Sequence, residues 1–185
     1  MSNSILLVDD EAHVLSALTR ALFDEPYEVT CAQSGEEALK LIATTPFKLV
    51  ISDEKMIGMQ GSELLAIIKD SHPTTLRILL TGHATLEAAM KAVNHGEIYR
   101  FFTKPWNDTE LKFEIRSAIE RYELESENRR LLATVKNQAM EIKVLEKRYP
   151  GISRVQKNEQ GSFVLPELSD AEIKMMLAEC EQETV

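Results

Sequence analysis

The sequence predicts an α/β protein: a doubly wound parallel sheet of five strands, followed by a long helical extension. Three observations carry this. Short apolar runs alternate with amphipathic stretches through the first 105 residues. Polar residues able to do chemistry stand directly after those runs. No Gly or Pro interrupts the chain from Asn107 to Tyr149.

The elements follow in order. Ile5-Leu6-Leu7-Val8 is a continuous apolar run, the pattern of a strand covered on both faces. Val14, Leu15, Leu18, Ala21 and Leu22 then recur at helical spacing. Residues 27–32 alternate and read as a second strand. Ser34 opens the next helix, with Glu37 three residues on as in a capping box, and Ala38, Leu39, Leu41 and Ile42 as its apolar positions. Leu49-Val50-Ile51-Ser52 is the third strand and 62–69 the third helix. Residues 76–80 form the fourth strand, 86–93 a helix and 98–102 the fifth strand. Strands alternating with helices imply a parallel sheet wrapped on both faces.

Composition bounds the function. The chain has 185 residues, 44% hydrophobic and 28% charged, enough for one good core and a small appendage. The formal charge of -9 divides as about -5, 0 and -4 over residues 1–105, 106–149 and 150–185. An acidic chain without a basic arm is repelled by nucleic-acid phosphates and anionic lipid, so neither is an expected direct partner. Two cysteines far apart, Cys31 and Cys180, suggest neither a disulfide framework nor a zinc site. The start lacks the basic residues and long apolar stretch of a signal peptide, and no run approaches a membrane span. The expectation is a soluble, cytoplasmic protein.

In an open parallel sheet, reactive groups collect at the carboxyl ends of the strands. Asp9 and Asp10 follow the first strand, Asp53 the third, Thr81 the fourth and Lys104 the fifth. Clustered carboxylates repel one another unless a cation sits among them. A hard divalent ion is the natural occupant, and Mg²⁺ fits a site with few ligands and water for the rest. Such an ion beside a carboxylate nucleophile neutralises an incoming phosphoryl group. Lys104 can pair with one phosphoryl oxygen and the Thr81 hydroxyl can donate to another. Singly, each residue has a plainer reading: a strand-end Asp as a helix cap, Thr81 as a turn residue, Lys104 as a solvated amine.

As an ordered set, Asp9-Asp10, Asp53, Thr81-Gly82 and Lys104-Pro105 resemble the signature of bacterial two-component response-regulator receivers, over about residues 4–122. The resemblance implies a flavodoxin-like sheet of order 2-1-3-4-5. It implies Asp53 as phosphoacceptor, and Mg²⁺ on Asp10, Asp53 and the Lys55 carbonyl, with Asp9 acting indirectly. Thr81 and Phe101 become the switch pair, the ring filling the space that the hydroxyl vacates. Lys104-Pro105 becomes a cis peptide. Lys55 and His83 fall at the two variable positions that tune phosphoaspartate lifetime. One departure is Ile57, where the family commonly has Pro after the Met of this loop; the loop 57–61 is expected to be less rigid. Another is Phe101, where Tyr is also common, so a hydroxyl contact is missing. Residues 96–106 look especially like receivers preceding HD-GYP cyclic-di-GMP phosphodiesterases.

Asn107 and Glu110 read as a second capping box, opening a helix from about Asp108 to about Arg148. Leu111, Ile115, Ala118 and Ile119 should pack on the sheet. Beyond them a heptad places Arg121, Asn128, Val135 and Ile142 at a, and Leu124, Leu131, Gln138 and Leu145 at d. Leu124, Asn128, Leu131, Val135, Ile142 and Leu145 are the expected seam of a parallel homodimer, with a single charged helix docked on its own domain as the alternative. The expected organisation is a receiver at 1–122, a coiled coil at 123–148 and a small tail at 149–185. In the tail, 150–166 reads as a loop or short hairpin, and Ser169 or Asp170 starts a last helix.

The function implied is a phosphorylation-dependent switch, served by a sensor histidine kinase and acting through its dimer, a downstream protein or an output module. It would catalyse only its own phosphoryl transfer and hydrolysis. Two alternatives stand beside it. A haloacid-type phosphatase would use Asp53 as nucleophile, but Lys55 stands where a second acid is wanted. A transcription factor would need Lys and Arg on one face of its tail.

Overall fold

The computed structural model describes residues 3–82, 98–149, 156–157 and 163–164. The helix predicted at 86–93, His83, and the last helix at Ser169 or Asp170 lie outside the described residues. The chain divides into two compact units, 1–129 and 130–185.

In the first unit, β1 (Ser4–Val8), β2 (Glu28–Ala32), β3 (Leu49–Asp53), β4 (Leu76–Thr81) and β5 (Arg100–Thr103) form one parallel sheet in the order β2-β1-β3-β4-β5. The helices α1 (Ala12–Ala21), α2 (Gly35–Thr44) and α3 (Gly61–Ser71) accompany it, with the first part of α4 (Asp108–Arg148), whose later residues belong to the second unit. Strand side chains alternate between two cores. Ile5, Leu7, Ile51, Ile78, Leu80 and Phe102 pack with α1 and with Leu111, Ile115, Ala118 and Ile119 of α4. Leu6, Val8, Val50 and Leu79 pack with Ala38 and Ile42 of α2 and Leu64, Leu65 and Ile68 of α3. Two-sided burial is why β1 and β3 carry unbroken apolar runs. The edge strand β2 is largely half-exposed, matching its alternating sequence.

Boundaries differ where a candidate site residue ends a strand. Asp53 and Thr81 are the last residues of β3 and β4, because the ladder carries them: Asp53 pairs with Leu80, and Thr81 with Thr103. At the start of α2, Ser34 Oγ accepts from the Glu37 N–H at 3.1 Å, as a cap should. The Glu37 carboxylate, however, accepts from the N–H of Gln33, not of Ser34. Asn107 Oδ1 accepts from the N–H groups of Thr109 and Glu110 and so starts α4.

The helix α4 spans 41 residues, and its buried positions are Leu111, Ile115, Ala118 and Ile119. The seam residues Leu124, Leu131, Val135, Ile142 and Leu145 are all exposed in the single chain, as is Asn128. In the second unit, β6 (Gln156–Lys157) and β7 (Phe163–Val164) pair antiparallel, the short hairpin expected there. Among the described residues no helix is long and apolar enough to cross a membrane.

Candidate functional site

The carboxyl end of the sheet brings two of the expected carboxylates, Asp9 and Asp53, together on the Lys104 ammonium. Lys104 Nζ lies 2.5 Å from Asp53 Oδ1 and 2.8 Å from Asp9 Oδ2. Three strands supply this triad, since Asp9 follows β1, Asp53 ends β3 and Lys104 follows β5. The Lys104 N–H donates to the Thr81 carbonyl at 2.9 Å, which extends the β4–β5 ladder by one bond and fixes where the lysine leaves the sheet. The Lys104-Pro105 peptide is cis.

Each carboxylate has a second engagement. Asp53 Oδ2 accepts from the Lys55 N–H at 2.8 Å. Asp9 Oδ1 accepts from the Glu11 N–H at 2.9 Å, a bond made just before α1, whose N-cap is Glu11 and not Asp9. Asp10 Oδ2 accepts from the Ile57 N–H at 2.9 Å. Thr81 is fully buried, and its hydroxyl donates to the Gly82 carbonyl. Phe101 lies on the neighbouring strand opposite Leu79, two residues before Thr103, the partner of Thr81. Its ring is half-buried against the α2–α3 core. Lys55 has its side chain in solvent.

The electrostatics follow from burial. Desolvation lifts the Asp53 carboxyl above its ordinary value; the hydrogen bond and charge of Lys104 oppose this, and the nearby Asp9 charge adds to it. Burial pushes the Lys104 ammonium down, but its hydrogen bonds to Asp53 and Asp9 and their charges more than offset that, leaving it raised. The site is therefore short of positive charge: one ammonium serves two buried carboxylates, with Asp10 beside them.

That shortage is the test of fit for a divalent cation. The donors are oxygens only, their charge exceeds that of Lys104, and burial already penalises the ionised Asp53. Such a set suits a hard cation such as Mg²⁺. Among the described residues no three acidic, His or Cys side chains are gathered into a ready cluster: Lys104 joins Asp9 to Asp53, and the Ile57 amide holds Asp10.

Two supporting residues escaped the sequence reading. Glu54 is buried, and its carboxylate accepts from both the N–H and the hydroxyl of Ser62 in the first turn of α3. Gly61 approaches the Asp53 backbone so closely that an added Cβ would stand 2.0 Å from the Asp53 carbonyl oxygen. A glycine immediately before an apolar helical stretch was the available signal. The Glu54–Ser62 pairing had none, because both residue types are common on surfaces.

Comparison with known proteins agrees with this geometry. The chain is 33% identical over 128 residues to the hydrogenase transcriptional regulatory protein HoxA of Cupriavidus necator, covering 69% of this chain and 26% of that protein. It thus spans about a quarter of that relative's length. A solved chain described as an adenylate cyclase from Rhodopirellula baltica superposes with a TM-score of 0.68 at 38% identity, covering 72% of this chain and 98% of that one. The signal receiver domain of an HD domain-containing protein from Pseudomonas fluorescens Pf-5 gives 0.64 at 42% identity, covering 68% and 93%. The model of the response regulator receiver domain matches residues 5–116, a span holding Asp9, Asp10, Asp53, Thr81 and Lys104. The chain belongs to the response regulator receiver domain family.

Proposed function

We propose that this chain is a phosphorylation-operated switch in which Asp53 takes a phosphoryl group from a sensor histidine kinase. The single observation that carries the reading is the triad of Asp53 and Asp9 on Lys104, at 2.5 and 2.8 Å. It pairs a buried carboxylate nucleophile with a cation that can change partners. An Asp53 oxygen forms a bond to phosphorus as the bond from phosphorus to the donor nitrogen breaks; the nitrogen keeps the electron pair and takes a proton. Lys104 then pairs with a phosphoryl oxygen, and the Thr81 hydroxyl turns from the Gly82 carbonyl to donate to another. Phe101 moves into the space so released. Asp10, Asp53 and the Lys55 carbonyl would hold Mg²⁺, with Asp9 acting indirectly; when bound, it supplies positive charge against the phosphoryl oxygens. The chain's only chemistry is this transfer and the hydrolysis that undoes it, in which water attacks phosphorus, the Asp53 oxygen leaves as carboxylate and inorganic phosphate departs.

Output runs along α4. Leu124, Asn128, Leu131, Val135, Ile142 and Leu145 form the seam of a parallel homodimer, which carries the signal to a downstream protein in the cytoplasm. The domains then divide at 1–122, 123–148 and 149–185. One observation favours a second reading, a part in transcription: HoxA is by name a transcriptional regulator. Salt-dependent binding of random duplex DNA separates the two.

Mass spectrometry after incubation with acetyl phosphate and Mg²⁺ tests the proposal. One phosphoryl group is expected on the wild type and none on Asp53→Asn, with light scattering on the same samples reporting the dimer. Equal labelling of both proteins would sink it.

A further inference from the structure

The loop between β3 and α3 holds one of the acidic residues by its backbone. The Ile57 N–H donates to Asp10 Oδ2 at 2.9 Å, tying the β3–α3 loop to the end of β1 across 47 positions of sequence. Burial does not put Ile57 there, because the residue is 85% exposed. What this position contributes is a donor. Gly58 follows with φ at +85°, a conformation that glycine adopts without strain, so the chain turns sharply just past the bond. The other carboxylates are occupied differently: Asp9 and Asp53 share the Lys104 ammonium.

We propose that the Ile57 amide is a latch on Asp10, competing with the divalent cation for the same carboxylate. This rests on the reading of Asp10 as a metal ligand. A cation drawing Asp10 toward Asp53 gives the carboxylate a new partner and frees the amide. The freed N–H faces solvent and is satisfied by water, so release costs little beyond the charge-assisted bond itself. A proline at position 57 has no N–H and cannot make the latch. Ile57 therefore weakens metal binding at Asp10 by the strength of that bond, and the bond breaks as metal enters.

The prediction is read by calorimetric Mg²⁺ titration and by amide NMR on the full chain. Ile57→Pro should bind Mg²⁺ about tenfold more tightly than wild type, the scale of one charge-assisted hydrogen bond. Ile57→Ala keeps the amide and should match wild type. In ¹⁵N-labelled wild type, the Ile57 amide should be protected from exchange without metal and lose protection as Mg²⁺ saturates the site. The latch is overturned if Ile57→Pro and wild type share one affinity, or if the Ile57 amide stays protected at saturation. It is also overturned if Ile57→Ala gains as much as Ile57→Pro. No Mg²⁺ heat from either protein at millimolar concentrations would overturn the metal reading itself, and the latch with it.

Discussion

Two lysines, one at each end of the sheet, do opposite things with a buried charge. Lys104, at the carboxyl end, sits between two buried carboxylates and keeps 25% of its side chain exposed. Lys48, just before β3 at the amino end, is more deeply placed at 11%. It donates to Asn3 Oδ1 at 2.6 Å and to Glu123 Oε1 of α4 at 2.8 Å, and lies 5.8 Å from the centroid of the Tyr122 ring. At the amino end one ammonium meets one carboxylate, itself 54% exposed, and a neutral amide. Charge there is balanced, and the arrangement only fastens the helix to the sheet. At the carboxyl end two carboxylates share one ammonium, and a third lies close by. The imbalance leaves that end with an excess of negative charge and with a carboxyl, Asp53, that burial holds above its ordinary ionisation range.

Removing each lysine tests that contrast, and the largest effect belongs to Lys104. Lys104→Met leaves Asp9 and Asp53 buried without their cation, which should cost about 3 kcal/mol at neutral pH. The raised ammonium of the wild type works in the same sense. A group raised in the folded state favours folding while it is protonated. The contribution of Lys104 should therefore persist through neutral pH and fade only as pH climbs through its folded value. Urea unfolding at pH 7 checks this; a loss below about 1 kcal/mol would mean that the two carboxylates are better solvated than their burial implies.

Asp53→Asn sharpens the same point in the opposite direction, with a smaller magnitude. The folded-state value of Asp53 is raised, so its favourable contribution is complete at low pH, where the carboxyl is protonated, and is lost as pH rises through the folded value. The neutral amide escapes the penalty. Asp53→Asn should be more stable than wild type by roughly 1 kcal/mol at pH 7, with the gain vanishing near pH 3. Thermal unfolding at the two pH values decides it; a destabilised Asp53→Asn at pH 7 would reverse the sign assigned to this end of the sheet.

The same contrast explains what was legible beforehand. Asp9, Asp10, Asp53, Thr81 and Lys104 each stand at the end of an apolar run. In a parallel sheet, chain position alone places them together, so the site could be read from linear order. The strand pattern was readable for a related reason: burial on both faces leaves unbroken runs such as 5–8 and 49–52. Lys48 carries no such signal. It stands before the apolar run, where a lysine is ordinarily solvated, and its partner Glu123 is 75 positions away on a helix whose docking is set by Leu111, Ile115 and Ile119. Gly61 left only a weak mark, a glycine just before an apolar helical stretch, because its role depends on how near α3 comes to the Asp53 carbonyl. The latch on Asp10 was hidden because a backbone amide at an exposed isoleucine leaves no mark in residue type.

The effect expected at Lys48 is no larger than that of Asp53→Asn, and its smallness is the point. Lys48→Met keeps an apolar stem of similar length in the buried slot and returns Glu123 to solvent, so no buried charge is stranded. The cost should be about 1 kcal/mol, and a double-mutant cycle with Glu123→Gln should give a coupling of roughly 0.5–1 kcal/mol. Denaturant unfolding of the four proteins measures both. A coupling as large as the whole effect of Lys104→Met would mean that the amino end holds its charge as tightly as the site does. Charge imbalance would then no longer distinguish the carboxyl end of the sheet from the end that anchors α4.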